Sequence, residues 1–147
     1  MKQFVVKYKA YSWSKGTLYT AEFPDMAVTE ICCPILLNTH WCFEGQQYVL
    51  LSNSNTSSRL YVNNVGPVGE IHQSYPHWDV LYNSVSYKLL QLKRAAVLVS
   101  SSHFVATLKS NPIGRVTCTY TENKQTLLEM LLYVAFYYRR SLDTSSG

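Results

Sequence analysis

Apolar and polar residues alternate along most of the chain, and a period of two predicts strands. In Lys2 to Ala10, the residues Phe4, Val6, Tyr8 and Ala10 face one way, while Gln3, Val5, Lys7 and Lys9 face mostly outward. Trp13-Ser-Lys-Gly16 has the composition of a turn, and Thr17 to Phe23 alternates again as a hairpin partner that Pro24-Asp25 stops. Val28 to Phe43 is apolar and contains Pro34, which predicts a short strand, a bend and another short strand. Gln47 to Leu51 and Arg59 to Asn63 are strands on either side of the polar loop Ser52 to Ser58. Val65-Gly-Pro-Val-Gly69 predicts a turn segment, and Ser74 to Asp79 an aromatic loop. Val80 to Leu92 has a strand bias interrupted by Asn83-Ser84, and Ala95 to Val99 and His103 to Leu108 are two further strands. Arg115, Thr117, Thr119 and Thr121 then alternate with Val116, Cys118 and Tyr120 as a last half-buried strand.

After Thr121 the period changes. Asn123 is a good N-cap, and Thr126 followed by Glu129 has the spacing of a capping box. Leu127, Leu128, Leu131, Val134, Ala135 and Tyr138 form one apolar stripe of a helix, but Leu132, Tyr133, Phe136 and Tyr137 lie off it. A helix apolar nearly all round is buried on more than one side, and a partner subunit is the expected cover for the second side. Leu132, Phe136 and Tyr137 are therefore assigned to an oligomer interface, with Trp78 from the aromatic segment Tyr75, Trp78, Tyr82 as a further anchor. Arg139 and Arg140 fall in the expected last turn, where cations suit the helix dipole. The expected fold class is mainly β (α+β): an antiparallel β-sandwich-like domain over residues 1–142, with a long C-terminal helix and a flexible tail at 143–147.

Composition narrows the function classes. The 147 residues are 47% hydrophobic and only 15% charged, with 12 Tyr, which argues against disorder. Net charge is +4, enough to permit an anionic partner without demanding one. No secretory h-region precedes the first strand, so Cys32, Cys33, Cys42 and Cys118 are expected to be free, largely buried thiols in a reducing compartment. The sequon Asn55-Thr56-Ser57 would go unused there. No segment is long and apolar enough to span a bilayer, so any membrane role is peripheral.

Candidate chemistry is sparse. Cys32, Cys33, His40 and Cys42 could suggest a metal, but two adjacent cysteines do not easily share one tetrahedral ion. Cys118 or Cys42 could pair with a histidine as a nucleophile, but no glycine-rich oxyanion loop appears and carboxylates are few. The expectation is a protein that is not an enzyme, with no metal and no cofactor. The basic residues are more suggestive: Lys88, Lys93 and Arg94; Lys109 and Arg115; Arg139 and Arg140. These are the candidate contacts to phosphates of RNA or of an anionic membrane surface, with tyrosines interleaved. The plainer alternative is ordinary solubility charge.

The block Lys109-Ser-Asn-Pro112-Ile113-Gly-Arg115, the strand after it, Asn123-Lys-Gln125-Thr126, and Val134-Ala-Phe136-Tyr-Tyr138-Arg139 resemble the C-terminal third of bornavirus matrix proteins. Phe4-Val5, Thr17-Leu18 and Phe23 are similar at similar spacing, while residues 31–82 lie outside the resemblance. A relative in the bornavirus or nyamivirus group is implied. The resemblance implies a small, non-enzymatic, mostly β protein like the N-terminal domain of filovirus matrix proteins. It implies a homotetramer that binds single-stranded RNA, viral nucleocapsid proteins and the inner membrane surface. Such a scaffold sits beneath the envelope of the virion, and in host cytoplasm and on the inner face of host membranes. Of the basic residues above, Arg115 and Arg139 fall in the matched block. A viral accessory module that binds RNA or a host partner is the alternative.

Overall fold

Each strand of this chain pairs antiparallel with the next one in sequence, and the last pairs with the first. The computed structural model describes all residues except 36, 55, 75, 102, 122, 123, 146 and 147, together with the side chains of 143–145. The strands are β1 (Lys2–Ser12), β2 (Gly16–Glu22), β3 (Thr29–Cys33), β4 (Thr39–Phe43), β5 (Gln46–Ser54) and β6 (Ser57–Val62). They continue as β7 (Gly66–Ser74), β8 (His77–Tyr82), β9 (Val85–Leu92), β10 (Ala95–Ser100), β11 (His103–Ser110) and β12 (Arg115–Tyr120). Closure comes from β1 against β12, with Phe4 opposite Cys118 and Val6 opposite Val116. One helix, α1 (Gln125–Ser145), follows the last strand.

The fold is therefore a closed twelve-stranded barrel, and not the expected β-sandwich with a long covering helix. Alternation specifies one buried face per strand, and a sandwich and a barrel satisfy that equally. What separates them is the helix. A barrel of about eight strands is just wide enough for its own side chains, so twelve leave a lumen. A helix with its side chains is about 10–12 Å across and can fill such a lumen. From Met130 to Arg139 every side chain of α1 is buried, on all faces.

The barrel wall makes room for it with small inward residues: Ala21, Ser58, Gly69, Ala96 and Ala106. Phe136 meets the ring of Tyr19 edge-on at 5.3 Å and that of Trp41 at 5.9 Å. Tyr137 meets Trp78 edge-on at 5.2 Å, and the Tyr133 hydroxyl donates to the carbonyl oxygen of Ser58 at 3.3 Å. These contacts correct the interface assignment. Leu132, Phe136, Tyr137 and Trp78 lie inside the barrel, where the chain's own strands cover them. The all-round apolar helix is explained without a second copy.

Other expectations shift as well. Glu129 closes no capping box; it accepts a hydrogen bond from the Tyr82 hydroxyl at 3.0 Å and another from Tyr48. Burial first, and the Glu129 carboxyl group after it, push both phenols above the ordinary tyrosine range. Asn123, the expected N-cap, lies outside the described residues, as do Asn55 of the sequon, Tyr75 and the end of the tail. The helix runs on to Ser145, so Arg139 and Arg140 precede its last turn, which holds no basic residue. The segment Val65 to Gly69 is not a turn but the start of β7, and β8 begins within the expected aromatic loop. Asn83 and Ser84 both have positive φ (49° and 67°) and form the tight link between β8 and β9.

Candidate anionic-surface site

Up-and-down strands place every second connection at the same end of the barrel. The helix enters from the end where β12 stops and leaves at the other, the exit end. Around that rim the strand order β9-β10-β11-β12-β1-β2-β3-β4 makes neighbours of successive connections: residues 93–94, 111–114, 13–15 and 34–38.

The first three of these connections, with the strand ends beside them, carry cations. Lys93 and Arg94 form the β9–β10 turn, Lys109 stands near the end of β11, and Arg115 starts β12. Lys15 sits in the β1–β2 turn. The tips are held in shape by their own bonds. The Arg115 N–H donates to Asn111 Oδ1 at 3.0 Å, and the Ser110 N–H donates to the Arg94 carbonyl oxygen at 3.1 Å.

Arg139 and Arg140 rise between the tips from the helix. Arg139 is only 9% exposed, with its guanidinium 5.9 Å from the centre of the Tyr19 ring. It passes so close to Gly114 that a Cβ there would lie 3.3 Å from Arg139 Nη2. With Lys7, Tyr8, Thr17, Ile113 and Arg115 it lines a cleft of about 670 Å³. Arg140 lies 5.9 Å from the Phe136 ring and lines a second cleft of about 520 Å³ with Thr17, Cys33, Pro34 and Thr39.

Part of this positive charge is already matched. Lys7 pairs with Glu22 at 2.7 Å, and Glu30 takes Lys9 at 2.7 Å and Lys15 at 3.8 Å. The hydrogen bond from Lys9 holds the Glu30 carboxyl below its usual range. The exposed acids Asp25 and Glu44 lie at the opposite end, in the β2–β3 and β4–β5 connections. The barrel therefore has a basic pole where its helix leaves and a mixed pole, with Lys2 and Lys124 beside those acids, where it enters.

Of the residues singled out in the sequence, Lys93, Arg94, Lys109, Arg115, Arg139 and Arg140 meet at this pole. Lys88 does not. It stands mid-strand on the outer wall opposite Asp79, in a groove of about 620 Å³ with Glu70, His72 and Tyr87. Lys93 follows it by five residue steps, roughly 16 Å along an extended strand. Lys9 and Lys15 were not selected as site residues, although Lys15 lay in a recognised turn. Nearby on the wall, Asp79 receives His77 Nε2 at 3.2 Å and His72 Nε2 at 3.6 Å. Among the described residues, no group of three or more His, Cys, Asp or Glu is placed to hold a metal ion. No described helix is long and apolar enough to cross a membrane.

All four cysteines are free, but they are not largely buried as expected: Cys42 is exposed on the outer face of β4, Cys32 and Cys33 are half-buried, with Cys33 packed against the core, and only Cys118 is fully buried. Burial pushes the Cys32 and Cys33 thiols up, and most of all Cys118. A thiol reagent at neutral pH should modify Cys42 first, Cys32 and Cys33 slowly, and Cys118 only after unfolding. Mass spectrometry of a time course reads that order, and early labelling of Cys118 would contradict the closed barrel.

Compared with protein-family models, curated proteins and solved structures, the chain matches none. The resemblance to bornavirus matrix proteins thus stands on the residues quoted for it alone, and the sandwich fold it implied is not this fold.

Proposed function

We propose that the protein acts by binding, not catalysis, and that its exit end docks peripherally on an anionic membrane surface. One observation carries the reading: cations from separate hairpin tips and from the helix gather at one pole, while the exposed acids Asp25 and Glu44 sit at the other. Opposite poles of a barrel are well beyond the roughly 8 Å Debye length of physiological salt, so each pole acts on its own surroundings. The cations are spread around a rim and do not line one channel. A rim of tips meets a plane of headgroups at many points at once, whereas a single strand of RNA would follow a groove.

The test is sedimentation with vesicles of phosphatidylcholine containing phosphatidylserine, across a salt series. Each Lys or Arg near such a surface contributes about 1 kcal/mol, so Lys93→Glu, Arg94→Glu and Arg115→Glu together should weaken binding by about 100-fold or more. Lys2→Glu with Lys124→Glu, at the far pole, should leave it nearly unchanged. Equal losses from the two variants would remove the site. Preference for single-stranded RNA over such vesicles would turn the reading toward RNA.

The wider role that the matrix resemblance implies is a viral scaffold between ribonucleoprotein and the inner membrane surface. It is a proposal that also needs self-assembly. The helix no longer argues for that, because the barrel covers it. Light scattering on the vesicle-bound and free protein tests it.

A further inference from the structure

The basic pole also carries large apolar side chains held out in water. Trp13 is 92% exposed, Ile35 72%, Leu37 73% and Ile113 73%. Trp13 stands two residues from Lys15, Ile113 two residues from Arg115 and Leu92 next to Lys93, while Ile35 and Leu37 stand on the neighbouring β3–β4 tip, beside the cleft that Arg140 lines. At the far pole Met1, Val28 and Val65 are exposed too, but Asp25 and Glu44 are their neighbours there. Apolar side chains held out in water at hairpin tips gain nothing for the fold, since the core is complete without them.

We infer that these tips insert into the bilayer interface, with Trp13, Ile35, Leu37 and Ile113 below the headgroups and the cations at phosphate level. The inference rests on the anionic-membrane reading above and adds the depth and pose of docking. The arrangement suits a bilayer interface: exposed apolar side chains and cations share one rim, with a rigid wall behind them. Trp prefers the boundary between headgroup and acyl chain. An electrostatic site would hold the barrel at a distance and leave its tilt free. Insertion of consecutive tips fixes the barrel axis steeply on the surface.

Intrinsic fluorescence tests this directly. The chain has three Trp, and Trp41 and Trp78 are buried in the core at 2% and 5% exposure, so a change on adding vesicles reports Trp13. With phosphatidylserine-containing vesicles, the emission should shift to the blue and be quenched by lipids brominated near the carboxyl end of the chain. Both changes should vanish in Trp13→Ser. Replacing Trp13, Ile35 and Ile113 together by Ser should weaken binding by about 30-fold or more while the salt dependence stays that of wild type, because the cations remain. Binding without a blue shift or quenching would overturn insertion and leave the electrostatic reading standing. No binding to anionic vesicles at all would overturn both.

Discussion

A chain that stops at Lys124 should fail to close its barrel. The inward face would then surround an empty lumen lined by Tyr19, Trp41, Ile71, Leu98 and Leu108, all buried only because α1 fills the space. An apolar cavity of that size cannot persist in water, and small residues such as Gly69 and Ala106 leave the wall unable to fill it. One truncation shows the scale. Phe136→Ala removes a fully buried ring packed on Tyr19 and Trp41 and should cost about 3–5 kcal/mol. A typical domain has only about 5–15 kcal/mol in all, so losing the whole helix exceeds it. Near-ultraviolet circular dichroism and urea unfolding measure this. A chain of residues 1–124 that unfolds cooperatively would refute the plugged barrel, and Phe136→Leu, which nearly conserves volume, should cost less than about 1.5 kcal/mol.

Gly16→Ala should be the most damaging of the glycine substitutions. Gly16 has φ +74°, and a Cβ there would fall 2.2 Å from the Cys33 carbonyl oxygen and 2.7 Å from the Pro34 Cα. Those are backbone atoms that cannot rotate aside, so the β1–β2 tip must lift from the end of β3. We expect a loss of about 3 kcal/mol or more, from left-handed strain plus the clash. Gly45 and Gly66 give the control: both have positive φ, but a Cβ on either meets nothing within 4 Å. Gly45→Ala should therefore cost only the conformational strain, about 1–2 kcal/mol. Urea midpoints compare the two variants, and equal losses would show that the close approach at Gly16 is not limiting. The same variant shifts the tip that bears Trp13.

Most strands were legible because alternation is a local signal; Lys2 to Ala10 and Thr17 to Phe23 pair as a hairpin, as their pattern suggests. β7 was missed because Gly66, Pro67 and Gly69 look like punctuation. Gly69 is there for another reason: a Cβ on it would come 3.1 Å from the Tyr82 ring and 3.3 Å from that of Tyr133. Closure was illegible, since no residue of β1 announces β12 as its partner. The clue lay in α1, whose apolar surface on every side demanded a cover. The chain itself provides that cover. At the candidate site, Lys93-Arg94 and Arg139-Arg140 were visible as pairs. That the Lys93-Arg94 turn and this part of the helix share a rim with Trp13, Ile35 and Ile113 depends on barrel order, which local pattern does not carry.

The plug has a consequence for how the molecule is made. Synthesis delivers α1 after every strand, yet the strands cannot bury their inward face until it arrives. β1 must also wait for β12, with Lys2 finally opposite Tyr120. Hairpins such as β8–β9 can form early from local contacts, but the barrel as a whole is a structure of long sequence separation. Until the last segment is free, the nascent chain exposes the apolar face of an open sheet with two unpaired edges. Folding is thus a single late event, closing the wall around the helix, and the interval before it is when this protein is most exposed to aggregation.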